Sequence, residues 1–327
     1  MKPIALKGHE RPVTQIKYNR DGDLIFSASK DARCSVWYSD NGERLGTYNG
    51  HKGVVWCLDV SWDTRYLITG GGDNHCILWD CETGKSLHTL QMSTAVRTVG
   101  FSYSGNLFFN STDQRMNYNC SLNLYDMRDP DAVANNEPRV AIPVPKSKVT
   151  SAIWSQLDDV IVTGHENGEI CQYDIRSDSK EPTNFVQEHK KTIKDLQCSL
   201  DQIMIVSSSA DTTAKLFDGS TLQHLKTFKS EKPVNSAAIS PLRDHIILGG
   251  GEEAMMVTQT AQEQGQFEAK MYHLIFEDEF ARIKGHFGPI NSIMFHPDGQ
   301  SYASGAEDGY VRVNKFDKDY LDFDFDC

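Results

Sequence analysis

His9, Ser27 and Asp31 are the three residue types of a nucleophilic triad, gathered within one short stretch of chain. Such chemistry needs a hydroxyl nucleophile, a histidine within hydrogen-bonding reach to take its proton, and a carboxylate to orient the ring. The set returns as His51, Thr69 and Asp73, as His189, Ser207 and Asp211, and as His286, Ser304 and Asp308. In every copy His and Asp lie 22 residues apart, and the hydroxyl residue stands four before the Asp. An enzyme needs one nucleophile in a distinctive setting. Four interchangeable ones, with Thr replacing Ser in one, argue for a structural use, and no catalytic residue is assigned. Six residues after three of the acids stands an aromatic, Trp37, Trp79 or Phe217, while Asn314 holds that place in the last copy. Buried polar groups persist only when paired, so His, Ser or Thr, Asp and Trp joined in a hydrogen-bonded chain would fix the register of the strands that carry them.

Other chemistry has less support. Gly70-Gly71-Gly72 and Gly249-Gly250-Gly251 are glycine-rich, yet neither opens a helix or carries the Lys of a phosphate loop. The histidines show neither H-E-x-x-H nor Cys-His zinc spacing. No metal and no cofactor is expected, and no small-molecule substrate.

The elements that position these residues follow from the stretch between Gly50-His51 and Trp79-Asp80. Two apolar runs, Val54 to Leu58 and Tyr66 to Ile68, flank a polar turn at Ser61 to Arg65. A Gly-rich turn to Asp73 and the run Cys76-Ile77-Leu78 complete the copy. Asn167 to Tyr173 keeps the spacing of 6 with no His 22 residues earlier, and Asp113 with Tyr125-Asp126 and Glu252-Glu253 with Tyr272-His273 mark degenerate copies. Seven copies result. A period of roughly 40–45 residues opened by Gly-His and closed by Trp-Asp resembles the four-stranded blade of the WD-repeat family. The expected fold is all-β, a seven-bladed WD-repeat β-propeller forming one domain over residues 1–327. The expected blades are 8–49, 50–91, 92–142, 143–187, 188–229, 230–283 and 284–317, with a C-terminal tail from 318. The seventh copy supplies three clear strands, and an open edge invites aggregation, so residues 1–7 are expected to supply its fourth strand and close the ring.

Composition narrows the partners. A net charge of −12 disfavours nucleic acid as the main ligand, because that binding rests on Lys and Arg neutralising phosphates. Basic protein partners are favoured instead. The N-terminus lacks the apolar core of a signal peptide, and no run approaches the length of a membrane helix. The eight cysteines form no C-x-x-C pair; free thiols in a reducing cytoplasm are expected, with Asn110-Ser111-Thr112 and Asn119-Cys120-Ser121 as chance glycosylation patterns.

Insertions at Gln114 to Cys120 and Met255 to Gln266, and a proline-bearing linker at Asp129 to Pro145, read as long surface connections. Such loops carry function or are disordered, and both alternatives stay open. The tail Asp319 to Asp326 alternates aromatic or apolar with acidic residues, the pattern of a strand docked on the propeller itself or on a partner. The acids of the Trp-Asp pairs and the turns between first and second strands should share one face. On the fifth blade these are Asp218 and Asp201, with Asp195 and Glu188 near them in sequence. An acidic patch there would draw a basic partner helix or strand; a plain solvated face is the other reading.

Several stretches go beyond the generic repeat. They are Leu6 to Pro12, Asn41 to Thr47, Leu248 to Ala254, Phe267 to Lys270, Lys284 to Asn291 and Ser304 to Arg312. Together with the length and the aromatic-acidic tail, they resemble the family of i subunits of eukaryotic translation initiation factor 3. The resemblance implies a cytoplasmic, non-catalytic scaffold subunit of that complex, docking the C-terminal segment of the b subunit and also the g subunit. It further implies support for 43S preinitiation complex assembly and for messenger RNA recruitment, with indirect contact to the small ribosomal subunit. A generic adaptor in a ubiquitin ligase or receptor-signalling complex would share the fold but would not account for those stretches.

Overall fold

The computed structural model describes residues 3–322 apart from 116–117, 156–157, 178 and 252–266. The expected loop at Met255 to Gln266, the Glu252-Glu253 pair and the tail beyond Asp322 lie outside the described residues. The described residues form seven four-stranded antiparallel sheets, each built from strands consecutive in sequence except the last. The first blade shows the rule with Val13–Tyr18 innermost, then Leu24–Ser29, Arg33–Tyr38 and Arg44–Asn49 at the rim. Its second strand is buried on both faces while the rim strand is mostly open, so apolar and small residues give way outward to polar ones.

The turn between second and third strands explains the acid that recurs there. The residue after it takes a left-handed conformation, with φ of 68° at Ala32, 64° at Asn74, 87° at Gly168, 71° at Thr212 and 78° at Gly309. Asp31, Asp211 and Asp308 each accept from the N–H two residues on, at 3.0 Å, and Asn167 does the same at 3.1 Å. A short side-chain acceptor of this kind fixes the turn that a left-handed residue would otherwise strain. The glycine that opens the repeat has a separate cause. A Cβ on Gly8 would lie 2.6 Å from the Trp37 ring, and one on Gly50 would lie 2.7 Å from the Trp79 ring.

The ring closes through the N-terminal strand. Pro3–Lys7 pairs antiparallel with Tyr310–Lys315 and becomes the rim strand of the last blade, Leu6 standing opposite Val311. Both side chains are buried, in a cluster with Trp37, Ile25 and Val313 that joins the first blade to the last.

Neighbouring blades are laced together by side chains of the innermost strands. Thr14 donates to the Val55 carbonyl at 2.7 Å, Thr150 to Ile193 at 2.6 Å, Asn235 to Ile290 at 3.0 Å and Asn291 to Val13 at 2.8 Å. One residue further along, main-chain N–H groups donate back to the preceding blade: Leu58 to Gln15, Leu196 to Ser151, Ile293 to Ser236 and Ile16 to Ser292. Between the second and third blades the corresponding residues stack instead, with the Arg97 guanidinium 4.8 Å from the Trp56 ring.

The structure departs from the sequence reading in four places. The linker after Asp129 is not a bare connection: it holds a helix at Pro130–Ala134, capped by Asp129, and the strand Val140–Val144. That strand is the rim of the third blade, so the expected divide at 142/143 falls inside it. The divide at 283/284 likewise falls inside the strand Glu279–His286. The tail begins as a helical turn, Lys318–Leu321, rather than a strand. There the Asp317 side chain caps the turn, and Tyr320 stacks on Phe316, four residues earlier, with centroids 4.0 Å apart. The cap and this one-turn ring pair override the alternating pattern.

Candidate functional site

The four sequence-matched sets come together as hydrogen-bonded chains. His9 Nδ1 lies 2.9 Å from Asp31, its Nε2 lies 2.8 Å from Ser27 Oγ, and the Trp37 indole N–H donates to the same Oγ at 2.9 Å. His51, Thr69, Asp73 and Trp79 repeat this at 3.0, 2.8 and 2.9 Å. His189 reaches Asp211 at 2.9 Å and Ser207 at 2.6 Å, while Phe217 packs fully buried with no polar atom to offer. His286 reaches Asp308 at 3.0 Å and Ser304 at 2.8 Å. A carboxylate only accepts, so each Nδ1–H donates to its acid, leaving Nε2 to accept from the hydroxyl. The hydroxyl residues are at most 2% exposed, so no substrate carbonyl reaches them.

The electrostatics agree with a closed network. Burial pushes the His51 and His189 rings below the usual imidazole range, against the pull of Asp73 and Asp211. For Asp211, burial works upward, but hydrogen bonds from Thr213, the Lys190 N–H and His189 outweigh it and hold the carboxyl at about 2. Among the described residues, no group of three or more His, Cys, Asp or Glu side chains is placed to hold a metal ion.

On the fifth blade, Asp201 lies in the turn from first to second strand and Asp218 at the end of the third strand. First and third strands of an antiparallel blade run the same way, so both turns emerge on one face. The Gly219 N–H donates to the Ile203 carbonyl at 2.7 Å and ties the two turns together. Asp218 accepts from Ser220 N, Thr221 N and Thr221 Oγ1 at 2.8 to 2.9 Å. Asp201 accepts from the Ser199 hydroxyl and from Ile203 N. These bonds, Ser199 first at Asp201 and Thr221 first at Asp218, lower both carboxyls below the usual range. Both are therefore fixed, charged and accessible.

Two residues grouped with them by sequence stand elsewhere. Asp195 lines the central channel and accepts from Ser236 Oγ at 2.6 Å. Glu188 is on the opposite face, paired with Lys215 at 3.0 Å. Sequence reasoning also passed over the apolar members of this face. Leu200 is 64% exposed and Ile203 60%, on either side of Asp201, and the next blade adds Leu242, Ile275 and Phe276. The signal at Ile203 was an aliphatic residue at the end of a turn where other blades carry Asp23, Arg65, Asn106, Asp244 or Gln300. Lys226 of the fifth blade bridges to the sixth, donating to the Ile275 carbonyl at 3.0 Å and pairing with Glu277 at 3.2 Å.

Seven four-stranded sheets in a closed ring, pinned by repeated His, Ser or Thr, Asp and Trp networks, define a WD-repeat β-propeller. Comparison with known proteins narrows this further. Residues 1–326 match the EIF3I family. The chain is 58% identical to eukaryotic translation initiation factor 3 subunit I of Danio rerio over 327 residues, all of both chains. It is 57% identical to the Homo sapiens protein of that name over 327 residues, and 57% to the Xenopus laevis one over 326, again over the full length of each. The chain belongs to the family of eukaryotic translation initiation factor 3 subunit I.

Proposed function

We propose that the whole chain is one propeller domain serving as a non-catalytic scaffold of initiation factor 3 in the cytoplasm. It docks the C-terminal segment of the b subunit and the g subunit, and through them supports 43S preinitiation complex assembly and messenger RNA recruitment to the small ribosomal subunit. Family membership supports the complex. The observation that carries the docking role is the face around Asp201 and Asp218, where fixed carboxylates sit among Leu200, Ile203 and Leu242. An amphipathic segment with one apolar side and a basic edge matches that face in both respects. The buried His, Ser or Thr and Asp sets serve the fold.

The test is titration calorimetry with a recombinant C-terminal segment of the b subunit. Asp201→Asn with Asp218→Asn, which removes both charges but keeps an acceptor oxygen in each turn, should weaken binding by at least tenfold while the melting temperature holds. Unchanged affinity would remove this face from the interface, and a b segment that fails to bind the unmutated protein would overturn the docking role itself.

A further inference from the structure

The central channel has two unlike ends. The turns that join first to second strands ring one end, and they hold eight Asp and three Arg with no Lys or Glu. The loops that pass from the last strand of one blade to the first of the next ring the other end, with three Glu against seven Lys or Arg. Carboxylates thus outnumber cations in the first collar, and the balance is reversed at the far end. A segment bearing Lys or Arg is drawn to the first collar and repelled by the second. Asp201 belongs to the acidic collar.

Inside that collar the channel opens into a pocket of about 260 Å³. Its walls are largely apolar: Trp62, Phe101, Tyr103, Ile153, Trp154 and Leu200. Trp62 is 38% exposed, with the Tyr103 ring 4.9 Å away and the Arg20 guanidinium 4.7 Å away. The charged lining, Lys17 and Arg20 against Asp59 and Asp195, is balanced. The pocket itself therefore takes an uncharged side chain, and the collar supplies the attraction. The pocket is also continuous with the face around Asp201. Leu200 stands in both, and the Tyr103 side chain shares a hydrogen bond with Gln202, the residue after Asp201. Asp158 accepts from Tyr103 N and Ser104 N, so the third, fourth and fifth blades are joined along this edge.

We propose that the channel mouth is the inner half of the docking face, which rests on the docking of a basic amphipathic segment at Asp201 and Asp218. That segment continues inward past Leu200 and seats one large apolar side chain between Trp62, Tyr103 and Trp154. Its Lys or Arg side chains lie over the collar. An apolar anchor in a central pocket within a charged rim is the arrangement in which interface energy concentrates.

The probe is the recombinant C-terminal segment of the b subunit, titrated into the full chain while tryptophan emission is read. Trp37, Trp79 and Trp154 are buried, and Trp56 stands near the start of its strand, toward the far end of the channel. Binding should shift the emission saturably to the blue, and Trp62→Phe should remove the shift while keeping most of the affinity. Trp62→Ala should weaken binding about tenfold, the scale of burying one large apolar side chain. In the purified native complex, photoreactive benzoylphenylalanine in place of Trp62 should crosslink to the b segment. A segment that binds and responds to Asp201→Asn with Asp218→Asn, yet leaves the Trp62 emission and the Trp62→Ala affinity unchanged, would overturn the mouth and leave the outer face standing. A segment that fails to bind at all would overturn the outer face and the mouth together. Crosslinks only to another polypeptide would overturn the choice of occupant.

Discussion

His189 Nε2 lies 2.6 Å from Ser207 Oγ, and neither residue is more than 2% exposed. The contact joins the loop entering the fifth blade to the middle of its second strand. Ser207→Ala would strand the imidazole nitrogen away from water, at a cost of about 1–3 kcal/mol. Asp73→Ala should cost a similar amount in the second blade, where the acid also accepts from Lys52 N at 2.8 Å. Chemical denaturation should show both losses with complex assembly intact once the protein is folded. An unchanged midpoint accompanied by a lost activity would return the set to catalysis.

Acid should attack the same networks. The Asp211 carboxyl sits at about 2, below its unfolded value, so the folded state holds this proton less tightly. Its contribution is complete above the unfolded carboxylate range near 3.9 and is lost as the pH falls through that range toward about 2. Asp211→Asn should therefore flatten part of the stability curve between pH 4 and about 2 in acid melts. A variant curve parallel to the unmutated one would contradict this.

Asp59 carries the opposite sign. Burial in the channel raises its carboxyl, with Lys17 opposing, while its Oδ2 accepts from Phe101 N at 2.7 Å. The folded state binds this proton more tightly than the unfolded chain, so stability is fully present below the unfolded value and falls as the pH rises through the raised one. Asp59→Asn keeps an acceptor without the charge and should melt at or above the unmutated protein at pH 7. Asp59→Ala leaves the Phe101 N–H unpaired and should melt lower, by about 1–3 kcal/mol of stability. An Asn variant that melts as low as the Ala variant would show that the charge is required.

The apolar half of the docking face is testable apart from its charges. Ile203→Ser removes an aliphatic chain that is already 60% exposed, so the melt should not move. Binding of the b segment should weaken by about 1–2 kcal/mol, the worth of burying that chain at an interface. Equal affinity would confine the interface to the carboxylates.

Removing residues 1–7 should lower the melting temperature sharply. The truncation takes away the rim strand of the last blade and Leu6, whose loss to alanine alone costs about 2–5 kcal/mol. A truncated protein that melts like the full chain would mean that the strand merely decorates the ring.

Much of this was legible in the chain because the repeat ties chemistry to spacing. His, hydroxyl, acid and aromatic recur at fixed distances, since each distance counts residues along one strand and one turn, and that count does not depend on the rest of the fold. What was hidden lies between blades. Thr14 meets the Val55 carbonyl, and Gln15 the Leu58 N–H, across a gap that no local pattern encodes. The same reason displaced Asp195: near Asp201 in sequence, it points along the inner strand into the channel rather than out of the turn. At the tail, the alternation of aromatic and acidic residues gave no warning that Tyr320 would find His245 at 2.9 Å. A helical turn satisfied that distant partner.

Ring closure also sets the order in which the molecule can be completed during synthesis. The strand Pro3–Lys7 leaves the ribosome well before its pairing partner Tyr310–Lys315. At about 5–20 residues per second, roughly 15–60 s of translation separate the two. Through that interval Leu6 has no strand to pair with, and the flank of the first blade that includes Trp37 lacks its covering blade. Six blades can stack as they emerge, but the first waits for the last. A pause before the codons for Tyr310–Lys315 would therefore lengthen the exposure of the first blade's edge.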